Sequence, residues 1–165
     1  MSVPQLIFIL LAIITLGGGL GVVTSGSVFI SALFLILSFV GVAGLYVLLN
    51  AGFLAAVQLL IYVGAIAVLI LFVVMLTHRV MTEGTPQTNG QWGIAAFLGV
   101  LLFLTLSVLA LRVDWPISGG PPPSDAVRAL GQQLLSAQTG FVLPFEVASV
   151  VLLVALIGAI IIARE

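Results

Sequence analysis

Gln58–Leu76 reads QLLIYVGAIAVLILFVVML. These 19 residues carry no charge, and the apolar run extends back to Phe53 and forward to Thr77. A helix crossing hydrocarbon needs about 20 such residues. The run is continuous rather than alternating, which excludes a barrel strand. In lipid each backbone amide must be paired inside its own segment, and a single run achieves that only as a helix. The stretch therefore reads as the greater part of a membrane span. It also holds Tyr62 and Gly64, a hydroxyl and a helix-weakening glycine two residues apart.

The pattern repeats along the chain. Runs at about 3–23, 28–49, 53–77, 92–111 and 141–163 predict five transmembrane helices, an all-α integral membrane fold read as one membrane domain over residues 1–165. The first run ends in a polar break, Thr24-Ser25-Gly26-Ser27, and the second at the turn-like group Asn50-Ala51-Gly52. Trp92 and Trp115 flank the fourth, as aromatic belts do at membrane interfaces. The N-terminal run, MSVPQLIFILLAIITLGGGL, lacks a basic leader and reads as a retained span rather than a signal peptide.

Composition agrees. Charged residues make up 5% of the 165, against roughly 25% in soluble domains, and mean hydropathy is +1.44. The cations are Arg79, Arg112, Arg128 and Arg164, with no lysine. The anions are Glu83, Asp114, Asp125, Glu146 and Glu165. No basic patch exists for nucleic acid. The absence of cysteine removes disulfides, thiolate chemistry and iron–sulfur ligation. One histidine and few carboxylates leave no metal-ligand set, so neither a catalytic nor a cofactor-binding residue is expected on this chain. Five spans put Arg79 and Arg164 on one side and Arg112 and Arg128 on the other, so charge does not decide orientation.

Between the fourth and fifth spans lies DWPISGGPPPSDAVRALGQQLLSAQTG. Its proline-rich start cannot be helical. Ser124 could cap a short helix after it, in which Val127, Leu130, Leu134 and Leu135 share a face while Asp125, Arg128, Gln132 and Gln133 lie mainly elsewhere. Two readings fit: an amphipathic helix on the membrane surface, or an ordered loop packed on a neighbour.

Small residues recur in the spans: Gly17, Gly18, Gly19, Gly21, Gly41, Gly44 and Gly158, with Ala155 and Ala159 four apart. They allow helix backbones to approach closely. Glu146 is the acid inside a span, five residues after Phe141 and so about 7–8 Å along the axis, nearer an end than the midplane. A carboxylate there is either functional or satisfied at the interface by the free amides of the first turn. Pro144 is tolerated for the same reason. Tyr62 and Gly64 likewise allow two readings. One is a helix contact with a glycine for close packing. The other is a local π-bulge, which often marks functional sites.

With these residues in hand the chain resembles a known family. AAVQLLIYVGAIAVLILFVVML is similar to the third helix of the J-type (mitochondrial sixth) membrane subunit of respiratory complex I, the proton-pumping NADH:quinone oxidoreductase. LPFEVASVVLLVALIGAIIIAR resembles its fifth helix, and LYVLLNAGFLAAVQ the turn between its second and third. The resemblance is sharpest over 45–76 and 141–164. It implies a non-catalytic subunit of the membrane arm, between the quinone-chamber subunit and the antiporter-like pumping subunits, touching the K-type and A-type subunits and lipid. It implies that FMN, iron–sulfur clusters and quinone sit on other subunits. It implies a hinge at Tyr62, Val63, Gly64 and Ala65, where conversion between bulge and α-helix couples quinone reduction to proton translocation. It places the acid of the fifth-helix block on Glu146. An acid that some relatives carry near the end of the third helix has no counterpart in VVMLTHR. The expected setting is a bacterial plasma membrane, with a thylakoid membrane as the alternative. A passive scaffold in the same complex is the competing role. A small independent transporter would need midplane polar residues that these spans lack.

Overall fold

A computed structural model describes residues 2–77, 90–114, 125–136 and 140–164. The chain divides into two compact units, Met1–Ser118 and Gly119–Glu165. The first contains α1 (Val3–Thr24), α2 (Val28–Leu48), α3 (Gly52–Leu76) and α4 (Trp92–Arg112). The second contains α5 (Ala126–Leu135) and α6 (Val142–Ala163). The five long helices match the sequence expectation, and α5 is the helical one of the two readings for its stretch. The five long ones, α1–α4 and α6, are long and apolar enough to cross a membrane. Their ends fall within one residue of the expected bounds.

The first unit is built on short turns. At the start of α1 the Ser2 backbone N–H donates to Gln5 Oε1 at 2.8 Å, and Pro4 sits in the first turn, where no amide is needed. Ser25 closes α1 with its N–H on the Gly21 carbonyl at 3.1 Å, and three residues later α2 begins. At the far end of α2 the Ala51 N–H reaches the Tyr46 carbonyl (2.9 Å) and the Asn50 N–H reaches Val47 (3.0 Å). That pair of bonds is a Schellman motif. It requires a left-handed residue, and Asn50 supplies it with φ 57.

What holds α1 to α2 is close approach rather than a core of large side chains. The buried apolar residues among those described are Ala32, Ala43, Ala55 and Ala67, and no large side chain is fully buried. Lipid tails are as apolar as leucine, so helix pairing in a membrane rests on packing and on hydrogen bonds between helices. A Cβ on Gly18 would lie 2.8 Å from the Ser38 amide nitrogen, and one on Gly21 would enter the Phe34 ring at 2.5 Å. Across the seam, Gly41 lies against Thr15 and Gly44 against Leu11. Ser38 Oγ donates to the Thr15 carbonyl at 2.9 Å, a direct bond between the helices. Gly17, Gly19 and Gly158 have no neighbour there, so they do not share this role within the described residues.

Candidate functional site in the third helix

α3 starts as α-helix over Gly52–Val57, continues as π-helix over Gln58–Ala67, and returns to α-helix over Val68–Leu76. A π-helix pairs each amide with the carbonyl five residues back, one more than in an α-helix. Most π segments are single-turn bulges; this one runs for 10 residues. Tyr62, Val63, Gly64 and Ala65 all lie inside it.

The segment packs on α2. Gln58 and Ala67 are its buried positions, with Ala55 buried in the turn before it, whereas Leu60 faces outward. The Tyr62 ring meets the Phe39 ring of α2 edge-to-face, with centroids 5.5 Å apart and planes at 74°. Such a contact contributes about 0.5–1.5 kcal/mol beyond area burial. Gly64 is exposed, and a Cβ placed on it would meet no atom of another helix within 4 Å among the described residues. A Cβ there would lie 3.2 Å from the Leu59 carbonyl oxygen, five residues back. The glycine thus serves the local backbone, because the atom it leaves room for is the one that the π register brings close.

Gln58 is a buried polar residue, 7% exposed, and it opens the π segment. Its amide has no side-chain hydrogen bond among the described residues, yet none of the buried polar atoms is both sealed and unpaired. The unpaired amide atoms therefore keep some exposure. Neither Phe39 nor Gln58 stands out as a site residue in the sequence. Gln58 has a signal, a polar residue within an apolar span; Phe39 has none.

Glu146 belongs to the second unit, on the second turn of α6. Its backbone carbonyl accepts from Ser149 Oγ at 2.7 Å. It is exposed on the surface of its unit. His78 and Glu83, beyond the end of α3, lie outside the described residues. The chain has no cysteine, and no three described His, Asp or Glu residues come together.

Fold and site thus define a class, a multi-pass helical membrane protein whose irregular feature is in the backbone of one span. The family described as NADH-ubiquinone/plastoquinone oxidoreductase chain 6 matches residues 18–162. The chain is 41% identical to NAD(P)H-quinone oxidoreductase chain 6 of Leptolyngbya boryana, covering 96% of this chain and 78% of that one. It is 45% identical to F(420)H(2) dehydrogenase subunit J of Methanosarcina mazei, covering 96% and 89%. It is 39% identical to the chloroplastic NAD(P)H-quinone oxidoreductase subunit 6 of Mesostigma viride, covering 99% and 86%. The chain belongs to the chain 6, or J-type, family of complex I-like oxidoreductases, and is a membrane subunit of such a complex.

Proposed function

We propose that this subunit couples quinone reduction, carried out elsewhere in the complex, to proton translocation by switching α3 between π and α forms around Tyr62, Val63, Gly64 and Ala65. The observation that carries the reading is the 10-residue π segment set between two α-helical stretches of one span. Loss of the extra residue per turn would rotate the remainder of the helix by at least roughly 100°, one residue's share of a 3.6-residue turn. Val68, Leu69 and Phe72 would then face different neighbours. Two states separated by a few kcal/mol leave the minor one populated at about 0.1–10%, enough for a switch. Changes in the neighbouring subunits would bias this balance, and a hydrated proton path would open or close beside α3.

The neighbours proposed are the quinone-chamber, K-type, A-type and antiporter-like subunits, with the surrounding lipid. Relatives are named for NAD(P)H and for F(420)H(2), so the donor side varies while this subunit persists. FMN and iron–sulfur clusters would sit on other chains. The proposed setting is a bacterial plasma membrane; relatives in cyanobacteria and chloroplasts support a thylakoid membrane as the alternative. We further propose that Glu146 takes a polar partner on an adjoining subunit.

Gly64→Val tests the switch. Coupled proton pumping should fall while the complex still assembles and its peripheral arm still oxidises donor. Normal pumping at normal abundance would reduce the subunit to a scaffold. For the acid, Glu146→Gln should lower turnover; unchanged turnover would mean that the carboxylate merely reaches the interface.

A further inference from the structure

We infer that α5 lies in the plane of the lipid interface, with Val127 and Leu130 in the acyl-chain boundary and Asp125, Arg128 and Gln132 toward water. Three observations within the second unit carry this. At 100° per residue, Val127, Leu130 and Leu134 fall within an arc of about 60°. Arg128 and Gln132 project from the opposite side. Val127 and Leu130 are exposed, at 56% and 44%, while Leu134 and Gly131 are half-buried toward the end of the helix. The arc of Val127, Leu130 and Leu134 is therefore partly covered at Leu134 and open over its first turns, and Leu135, off that arc at the helix end, is 68% exposed.

The second observation is the tether. The Phe141 N–H donates to the Gln133 carbonyl at 2.8 Å, bonding the last turn of α5 to the residue before α6. Gly140 makes this return possible: a Cβ there would collide with the Gln133 carbonyl and come within 2.7 Å of the Ser136 carbonyl. The third observation is the place where α6 begins. α6, a candidate membrane span, starts at Val142. A helix bonded at the start of a span would lie near headgroup depth, where its open apolar face can meet acyl chains.

A 10-residue helix is about 15 Å long and would hold a bilayer weakly by itself. Here it is already tethered, so little apolar area is needed to keep it down. Arg128 stands where a phosphate headgroup can accept its guanidinium donors.

The test uses the assembled complex in lipid nanodiscs. Spin labels are placed through Val127→Cys, Leu130→Cys and, on the far face, Gln132→Cys, with the unlabelled complex as background. Collisions with oxygen, which partitions into acyl chains, should exceed those with a water-soluble nickel chelate several-fold at 127 and 130. The ratio should invert at 132. As a second measurement, a photoreactive residue at 127 should yield lipid adducts by mass spectrometry. Labels at 127 and 130 shielded from both reagents, or a polypeptide adduct, would overturn the inference in favour of a covering subunit. A chelate-dominated signal at 127 would overturn it in favour of water.

Discussion

One amide side chain turns the backbone between α2 and α3. Asn50 holds φ 57, and the Schellman bonds on either side of it require that conformation. Asparagine accepts it; a β-branched residue loses roughly 1–2 kcal/mol. Asn50→Val should lower the temperature at which the detergent-solubilised complex releases this subunit, whereas Asn50→Gly should leave it nearly unchanged. Gly64 presents a different residue-scale balance. Alanine is favoured over glycine in an α-helix by about 1 kcal/mol, and in the π register its Cβ would crowd the Leu59 carbonyl at 3.2 Å. The propensity is shared by both helical forms, whereas the crowding acts on the π register alone. Gly64→Ala should therefore lower the π-to-α ratio, read as the backbone form over 58–67 in density maps of the complex. An unchanged π segment would show that the Leu59 carbonyl moves aside at little cost.

Among the elements, the α1–α2 pair depends on backbone proximity. Gly18 meets Ser38 backbone and Gly41 meets Thr15, so no rotamer change can make room for a large side chain at either. Gly18→Leu should separate the helices and deplete the subunit from purified complex. Ser38→Ala removes only the bond to the Thr15 carbonyl, with a loss of about 0.6 kcal/mol and at most ~1.7; the complex should persist with modestly lower thermal stability. Legibility differs sharply at this scale. The Asn50 turn, the polar break at Thr24–Ser27 and the two faces of α5 could be read because each has a local residue signature. Which glycines seat a neighbour could not. Gly17, Gly18 and Gly19 are chemically identical in sequence, and only the rotation of α1 against α2 turns Gly18 inward. The extent of the π segment was equally hidden. A π and an α turn use the same amides and carbonyls and differ only in which carbonyl each amide takes. Packing such as that of Phe39 on Tyr62 enters that choice.

For the molecule as a whole, most large apolar side chains of α4 and α6 face outward. Among the described residues neither helix has a buried residue to hold it outside lipid and partner subunits. Reconstituted alone in vesicles, it should give no proton flux above that of empty vesicles, measured with a pH-sensitive dye; specific flux would mean that the spans carry a pathway of their own. The number of long apolar helices and their ends followed from residue type alone, because hydrocarbon permits only self-paired helices and leaves few places for charge. Tertiary structure alone decided which small residues touch, how far the π segment of α3 extends and how α5 is fastened to α6. Those outcomes depend on contacts between residues of different elements and on energy differences of a few kcal/mol, which no element's own residues encode.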